Sequence, residues 1–381
     1  MKGDNSMTTR RNIVFFRAEL LRYSETFIRE QAEGLPTLQA NYTGFRRVPG
    51  LDLPEDRVYL APYPKPFDKP VHILHKLGLP HPRLAHKLAP LRPLALHAHF
   101  EEGGIHALYL ARALRVPLVT TCHGFDVTVE NAHRPWKERL CLGRLGQLHR
   151  EGSLFLAVSR FIQKKMIERG YPQEKVRVHY IGVDPTKFQL SGLVEKEPII
   201  LFVGRLVGKK GADDLLAAAA LLKEQGVSFQ VVLIGQGPLE ESLRQQAAAM
   251  KIPAQFPGKQ TPEEIKMWME RASVFCVPSK EALHGDSEGF GMVFGEAQAM
   301  KLPVVSTRHG GIPEAVEDTV TGFLAQEGNP KELATFLRRL LEDSTLARQM
   351  GEKGRERVVT HFDLHKQCAE LEKIYLETFA K

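Results

Sequence analysis

The sequence predicts an α/β protein built from two doubly wound parallel sheets in series. In each half of the 381-residue chain, short apolar runs alternate with amphipathic segments of helical length, which is the pattern of repeated βαβ units. This alternation breaks over residues 182–197 and then restarts. Polar and glycine-rich segments follow the apolar runs, and ligands of such sheets bind beyond the carboxyl ends of the strands.

In the first half, predicted strands and helices alternate from residue 12 to residue 180. Ser24 is the predicted N-cap of the first helix, with Glu25 near its positive end. Residues 37–60 are ambiguous. Strands are predicted at residues 12–16, 94–97, 117–121, 154–158 and 176–180, and further helices at residues 105–114, at residues 135–148 and in a segment ending near residue 169.

The second half begins with residues 199–203, a continuous apolar run typical of a strand buried in a parallel sheet. Further strands are predicted at residues 229–234, 254–256, 274–277 and 303–306, and helices at residues 211–225, 238–250, 261–271 and 291–300. The predicted division is a first domain at 1–185, a linker at 186–198, a second domain at 199–361 and a C-terminal helix at 362–381. We expect this last, amphipathic helix to return to the first domain.

Charge and cysteine usage bear on location and partners. The net charge of +7 is unevenly distributed, with +11 in residues 1–190 and −4 in residues 191–381, so the two halves are expected to meet different partners. The basic half lacks interleaved aromatics, which argues against a nucleic-acid partner. The four cysteines show neither a disulfide framework nor a metal-binding spacing, which predicts a cytoplasmic protein.

Residues 278–300 run from an apolar strand through a glycine-rich loop into a helix. Glu288 and Glu296 flank GFGMVFG in this stretch. A helix start with free N–H groups suits a phosphate, and ionised carboxylates accept hydrogen bonds from sugar hydroxyls. This chemistry predicts a nucleotide-sugar site. The alternative from these residues alone is a strand–loop–helix with two surface glutamates.

Two other loops of the second half also follow predicted strands. GRLVGKKG at residues 204–211 lacks the spacing of a Walker A loop, but it places Arg205 and a lysine where cations can clamp a diphosphate. The alternative is a loop with ordinary solvated charges. Gly235, in GQGP, permits close backbone approach to a ligand, although simple turn chemistry also explains it.

In the first half, His123 ends a predicted strand and is expected to face a ligand, unless it is a packed or capping histidine. His97 and His99 lie near another strand end, but no third ligand at a standard spacing supports a metal site. Arg160 follows a further strand, where it is a candidate anion contact.

Together these segments resemble the family 4 glycosyltransferases, retaining enzymes with the GT-B fold. EGFGMVFGE at 288–296 resembles their E-x7-E signature, and VGRLVGKKG at 203–211, IGQGP at 234–238 and GEAQAMKLPVVSTRHGGIPE at 295–314 follow in the expected arrangement. The first half adds HGFD at 123–126, VSRF at 158–161 and SETFI at 24–28, the last similar to bacterial enzymes that build extracellular polysaccharide. One departure is FFRAELLRYSETF at 15–27, where many relatives have a glycine-rich loop.

The resemblance implies two Rossmann-like domains facing a cleft, and a role for each matching residue. Arg205 and Lys210 would bind the donor diphosphate, Glu296 the ribose and Glu288 the sugar hydroxyls. His123 would face the transferred sugar from the opposite domain. The further donor-binding residues that it implies are Gly235, Gly258, Phe290, Gly291, Met292 and Val293. The acceptor-binding candidates are Asp126 and Arg160.

The predicted function is retaining transfer of a hexose from a nucleoside-diphosphate sugar, preferably a UDP-sugar, to a saccharide or lipid-linked saccharide in polysaccharide biosynthesis. No metal or other cofactor is expected, because cations take the metal's place at the diphosphate. One alternative is a nucleotide-sugar epimerase of the same fold, which would transfer nothing to an acceptor. The other is a non-catalytic nucleotide-sugar-binding protein, for which Glu288→Ala would cost no activity.

Residues 61–92 form a proline-rich, basic stretch with interspersed leucines. Cations next to leucines suit an anionic interface. We therefore expect peripheral contact with the inner face of the plasma membrane, with a solvated loop as the alternative.

Overall fold

The computed structural model describes residues 10–62, 73–75, 79–192 and 195–380. The chain divides into two compact units. The first comprises the described parts of Met1–Val158, Gln163–Gly182 and Leu364–Lys381, and the second comprises Ser159–Ile162 and the described part of Val183–Asp363. The chain therefore builds most of the first unit, then the second, and returns to the first for its last helix.

In the described part of the first unit, seven strands form a sheet in the order β5-β3-β1-β6-β7-β8-β9. All neighbouring pairs are parallel. The strands are β1 (Asn12–Phe16), β3 (Gln39–Thr43), β5 (Val58–Tyr59), β6 (Leu96–His99), β7 (Leu118–Cys122), β8 (Leu154–Ala157) and β9 (Val176–Val178), while β2 (Glu19–Leu20) and β4 (Arg46–Arg47) form a separate ribbon. Every residue of β6, β7 and β8 is buried, as expected for central strands covered on both faces.

The helices of this unit connect the strands. They are α1 (Thr26–Glu33), α2 (Pro82–Leu88), α3 (Glu101–Leu114), α4 (Phe125–Thr128), α5 (Trp136–Leu142), α6 (Leu145–Glu151) and α7 (Arg160–Glu168). The first three residues of α7 are grouped with the second unit.

Two predictions for these helices are wrong. Ser24 is not the N-cap, because α1 begins one residue later than expected and Glu25 occupies the cap position without a side-chain cap bond. The Glu25 carboxylate instead accepts hydrogen bonds at 2.9 Å from Arg17 Nε and from the Arg22 backbone N–H. The single helix predicted at residues 135–148 is two helices, which separate at Gly143, a residue of low helical propensity.

The second unit contains, in its described part, a six-stranded parallel sheet in the order β12-β11-β10-β13-β14-β15. Its strands are β10 (Glu197–Val203), β11 (Gln230–Ile234), β12 (Ala254–Gly258), β13 (Ala272–Cys276), β14 (Val304–Thr307) and β15 (Gly322–Ala325). Its helices are α8 (Ala212–Glu224), α9 (Glu240–Ala249), α10 (Pro262–Arg271), α11 (Met292–Ala299), α12 (Ile312–Ala315), α13 (Pro330–Glu342) and α14 (Ser344–His361). The sequence predictions missed β15 and α12 to α14.

The last helix, α15 (Leu364–Phe379), packs within the first unit, which confirms the predicted return. Its Leu371 and Tyr375 side chains are fully buried in that unit's core. The carboxylate of Glu372 accepts hydrogen bonds from the backbone N–H groups of Thr37 and Leu38 at 3.0 Å. Because these hydrogen bonds have a charged acceptor, they fix the position of the helix along its axis, in addition to the apolar contacts.

Each sheet has one point where the strand order reverses. In the first it lies between β1 and β6, and in the second between β10 and β13, because the chain builds one side of the sheet and then crosses to build the other. Ligands of open parallel sheets bind beyond the carboxyl ends of the strands at such a point. Of the predicted site residues of the second unit, Arg205, Lys210 and Glu288 lie in the loops at this point.

Candidate active site

The main residues of the second-unit site lie in loops that follow adjacent strands. Arg205 and Lys210 follow β10, whereas Glu288 follows β13, and β10 pairs directly with β13. The ends of parallel strands lie on one edge, so these loops meet at the strand-order reversal.

The ammonium group of Lys210 is paired with the carboxylate of Glu288. The two side chains are only 14% and 15% exposed. Burial opposes ionisation of Glu288, but the charges of Lys210 and Lys209 outweigh it and hold the pKa of this carboxyl below its ordinary value. Glu288 is therefore ionised at neutral pH, where it accepts hydrogen bonds and donates none.

A second ion pair lies beside the first along the chain. Lys209 Nζ lies 2.9 Å from Asp286 Oδ1, so consecutive lysines of one loop hold alternate carboxylates of the other. The backbone N–H of Lys280 also donates to Lys209 O at 2.9 Å. The loop after β10 and the loop after β13 are thus joined by two ion pairs and one backbone hydrogen bond.

Arg205 differs from these lysines. Its side chain is exposed, and the described residues provide no ion pair or side-chain hydrogen bond for its guanidinium. A guanidinium offers five donors in a planar fork that matches a phosphate group. The same loop therefore presents two cations that are already paired, Lys209 and Lys210, and a third, Arg205, that is available to an anion.

Two glycines let these loops approach closely. Gly211 has φ +67°, and a Cβ there would lie 1.9 Å from Pro278 O. Gly310 has φ +55°, and a Cβ there would lie 2.3 Å from Glu288 O. Side chains at these positions would force the loops apart, so glycine is required for the observed packing.

The remaining predicted donor-binding residues surround the same edge of the sheet. Gly291 has φ +81° and no side chain to cap α11, so the first N–H groups, at Met292 and Val293, lack a side-chain cap. Gly235 donates its N–H to Gly258 O at 2.9 Å, which places these two glycines together. The last two predicted donor-binding residues are close to Gly291 in the sequence. Phe290 is buried against Phe362, and Glu296 is half-buried on α11.

His309, which the sequence reasoning did not single out, contacts Glu288 through the backbone. The Glu288 N–H donates to His309 Nε2 at 3.2 Å. His309 Nδ1 lies 2.8 Å from Glu327 Oε1. The imidazole is only 3% exposed, so it is a buried link between the signature loop and Glu327.

In the first unit, His123 is held by aromatic rings and a second histidine. His99 Nδ1 lies 3.0 Å from His123 Nε2. The rings of Phe27 and Phe100 pack against His123, with centroids at 4.8 and 4.7 Å. Burial, the main cause, lowers the pKa of His123 to about 4, so the ring is neutral at pH 7.

His97 has its hydrogen-bonding capacity filled within the core. Its Nδ1 lies 2.6 Å from Tyr375 Oη and its Nε2 lies 2.7 Å from Thr121 Oγ1. Within the described ranges, no group of three or more His, Cys, Asp or Glu side chains is arranged to hold a metal ion.

Asp126 is buried, and its carboxylate accepts backbone hydrogen bonds. The donors are the N–H groups of His123 at 3.0 Å, Gly124 at 2.8 Å and Glu101 at 3.0 Å. The side chain therefore fastens the loop after β7 to the start of α3. Arg160 is exposed at the start of α7. An acceptor-binding role stays a prediction for both residues.

Comparison with known proteins identifies the family. The model for "Glycosyltransferase Family 4" matches residues 24–187, and that for "Glycosyl transferases group 1" matches residues 183–357. The amylovoran biosynthesis glycosyltransferase AmsK of Erwinia amylovora is 35% identical over 282 residues, which cover 72% of this chain and 68% of AmsK. The chain belongs to the family 4 glycosyltransferases. The putative colanic acid biosynthesis glycosyltransferase WcaL of Escherichia coli K12 is 34% identical, with the same coverage.

Solved structures agree with the predicted fold of this glycosyltransferase. Anabaena HepE in complex with UDP matches with a TM-score of 0.75 at 19% identity, over 96% of this chain and 100% of HepE. Sucrose-phosphate synthase from Thermosynechococcus elongatus matches with a TM-score of 0.75 at 21% identity, over 97% and 100%. The predicted GT-B class, with two parallel-sheet α/β domains, is confirmed.

The predicted membrane surface of the glycosyltransferase falls only partly within the structure. Lys65, Lys69 and Lys76 lie outside the described residues, whereas Arg83 and Lys87 are exposed on α2. No described helix is both long enough and apolar enough to cross a bilayer.

Three residues that the sequence reasoning left unassigned, Lys209, Asp286 and His309, contact the predicted site. The sequence could have indicated Lys209 and Asp286. One loop contains two consecutive lysines and the other contains two carboxylates at alternate positions, so the four side chains can form two ion pairs. For His309 there was no such indication, since its role depends on the folded path of the loop after β14.

We expect Lys210→Met to lower the free energy of unfolding by about 3 kcal/mol at pH 7, because it leaves the Glu288 carboxylate buried without its cation. In the wild type, the stabilisation is complete above the unfolded-state pKa of glutamate, about 4.3. It is lost as the pH falls through the lower folded-state pKa of Glu288. The destabilisation measured by urea unfolding should therefore stay constant from pH 7 to about 5 and shrink as the pH falls below about 4.3.

The double variant Lys210→Met/Glu288→Gln should remove most of this pH dependence, because the titrating group is gone. Lys353→Ala, at an exposed position of α14, is the control and should change stability by no more than about 0.5 kcal/mol. A destabilisation by Lys210→Met that stays constant as the pH falls below about 4.3 would contradict the electrostatic coupling.

Proposed function

We propose that this family 4 glycosyltransferase transfers a hexose, with retention of anomeric configuration, from a UDP-sugar to a saccharide or lipid-linked saccharide. The carrying observation is the Lys210–Glu288 pair at the strand-order reversal, with Arg205 exposed in the same loop. Cations suit a diphosphate, and an ionised carboxylate suits sugar hydroxyls.

The donor assignment is supported by solved relatives in fold. HepE structures contain UDP and, in another crystal, UDP-glucose. In this chain, Arg205 and Lys210 would bind the diphosphate, with the start of α11 contributing backbone N–H groups at Met292 and Val293. Glu296, on the same helix, would bind the ribose. Gly235, Gly258 and Phe290 would line the donor.

In the proposed reaction, the bond between the anomeric carbon and the donor phosphate oxygen breaks, and its electron pair leaves with the diphosphate. Arg205 and Lys210 stabilise the charge that develops there, which is a preorganised electrostatic effect that needs no metal ion. The acceptor hydroxyl attacks the face that the leaving group departs from, and its proton passes to the departing phosphate oxygen. The new bond therefore keeps the original configuration.

Glu288 has a positioning part in this reaction. Its low pKa makes it an acceptor for sugar hydroxyls and not a proton donor. A double displacement would require a carboxylate that attacks the anomeric carbon, whereas the Glu288 carboxylate is already committed to Lys210. His123, neutral at pH 7, would contact the transferred sugar as a hydrogen-bonding group without charge.

The acceptor class rests on the relatives in sequence. AmsK and WcaL are named for amylovoran and colanic acid biosynthesis, which supports a role in polysaccharide biosynthesis for this chain. Asp126 and Arg160 are the proposed acceptor-side residues. We propose a cytoplasmic enzyme that works at the inner membrane face, with the basic stretch at residues 61–92 as the peripheral contact.

Arg205→Ala and Lys210→Ala should each lower kcat by about 10²- to 10³-fold, because each removes a cation from the leaving diphosphate. The donor is identified first, as the nucleotide sugar in a panel that most raises the melting temperature of the protein. The rate of transfer is then measured as the release of UDP in the presence of an oligosaccharide acceptor. Arg338→Ala, at an exposed position of α13, should leave the rate unchanged. EDTA should have no effect on the wild type.

Product analysis by NMR distinguishes the alternatives. Retention of the donor's anomeric configuration with stoichiometric UDP release is the expected result. An inverted product, or a sugar–Glu288 adduct trapped on the protein, would contradict the mechanism. Epimerised donor without transfer would indicate an epimerase, and donor binding without any product would indicate a binding protein.

Vesicle binding tests the membrane proposal. Leu74 and Leu79 are exposed in the segment before α2, and α2 carries exposed cations. The wild-type protein should therefore bind vesicles containing about 30% anionic lipid and dissociate from them at high salt. Replacing Lys65, Lys69, Lys76 and Lys87 by Gln should weaken this binding by up to about 10³-fold, because each cation near the surface contributes about 1 kcal/mol. The control replaces four exposed cations elsewhere in the first unit, namely Arg115, Arg150, Lys164 and Arg177. Equal binding by both variants would refute the assignment.

A further inference from the structure

The hydrogen bonds of His309 indicate which of its ring nitrogens donates and which accepts. Glu327 Oε1 lies 2.8 Å from His309 Nδ1, and the Glu288 backbone N–H donates to Nε2 at 3.2 Å. A carboxylate only accepts, and a neutral imidazole has one donor and one acceptor nitrogen. Nδ1 therefore donates to Glu327 and Nε2 accepts from Glu288, so this tautomer satisfies both neighbours.

Glu327 connects both ends of the loop formed by residues 281–288. Its Oε2 accepts a hydrogen bond from the Glu281 N–H at 2.8 Å, while its Oε1 holds His309, which in turn holds Glu288. One carboxylate thus fixes the entry of the loop directly and its exit through the imidazole.

The segment around His309 also holds the other backbone group of Glu288. The Gly311 N–H donates to Glu288 O at 2.9 Å, and Gly310 packs so closely that a Cβ there would lie 2.3 Å from the same oxygen. Glu288 is therefore fixed at its N–H, its C=O and its carboxylate. Two of these three restraints come from residues 309–311.

From this geometry we infer that His309, supported by Glu327, is a positioning residue that fixes the Glu288 carboxylate for the donor sugar. The inference rests on the proposed function. When the donor binds, Lys210 also interacts with the diphosphate, so its ion pair with Glu288 is weakened. The backbone restraint by His309 then keeps the carboxylate in place, and misplacement by about 1 Å can lower a rate by about 10²-fold.

The test compares affinity for UDP with affinity for the UDP-sugar. Calorimetry without acceptor uses UDP and whichever of UDP-glucose, UDP-galactose and UDP-N-acetylglucosamine stabilises the wild type most. His309→Phe keeps a ring but removes both polar nitrogens. We expect it to weaken UDP-sugar binding about tenfold, as for one lost hydrogen bond and its orphaned donor, while UDP affinity stays within about twofold.

Rescue separates positioning from bulk structure. His309→Gln places an amide oxygen close to the former Nε2, so it should recover most of the lost UDP-sugar affinity. Arg308→Ala, an exposed neighbour paired with Asp318, is the matched control and should bind both ligands as the wild type does. Should His309→Phe fail to fold, Glu327→Leu at a partly exposed position provides the same comparison.

The outcomes distinguish this inference from the proposed function. Equal loss of UDP and UDP-sugar affinity in His309→Phe, or no recovery in His309→Gln, would overturn the positioning role. Unchanged UDP-sugar affinity in both His309→Phe and Glu327→Leu would also overturn it. A wild type that binds UDP-sugar and transfers the sugar sustains the proposed function in all these cases, whereas a wild type that does neither refutes both.

Discussion

The ion pair between Lys210 and Glu288 is the interaction on which the second-unit site depends. It forms only because β10 and β13 are neighbours at the strand-order reversal, so that two loops 78 residues apart in sequence meet. The glycines at 211 and 310 allow the backbones to approach closely. The pair keeps a buried carboxylate ionised, and an ionised carboxylate beside cations is the chemistry that a sugar diphosphate requires.

The two units carry different kinds of group at the ends of their strands. The second concentrates charge at its strand ends, with Lys209, Lys210 and exposed Arg205 near paired carboxylates. In the first, burial keeps His123 uncharged, and the Asp126 carboxylate accepts hydrogen bonds from backbone N–H groups. Charged groups suit stabilisation of a leaving diphosphate, whereas neutral hydrogen-bonding groups suit orientation of hydroxyls.

Much of the fold and part of the site were predictable from the sequence, and the exceptions have physical reasons. Apolar runs such as residues 199–203 identify buried strands because they need no long-range information. β15 was missed because four residues, GFLA, carry too little signal. Ser24 was wrongly predicted as a cap because the Arg17–Glu25 ion pair fixes the start of α1 differently. His309 was not predictable, because its partners belong to loops that only the folded sheet brings together.

A crystal structure of the protein with its UDP-sugar tests most directly whether the paired loops at the β10–β13 junction hold the donor. We predict diphosphate oxygens within hydrogen-bonding distance of Arg205 and Lys210, and a sugar hydroxyl donating to the Glu288 carboxylate. His309 should retain its bond to the Glu288 N–H. A diphosphate bound away from residues 204–211, or a sugar that makes no contact with Glu288, would contradict this assignment.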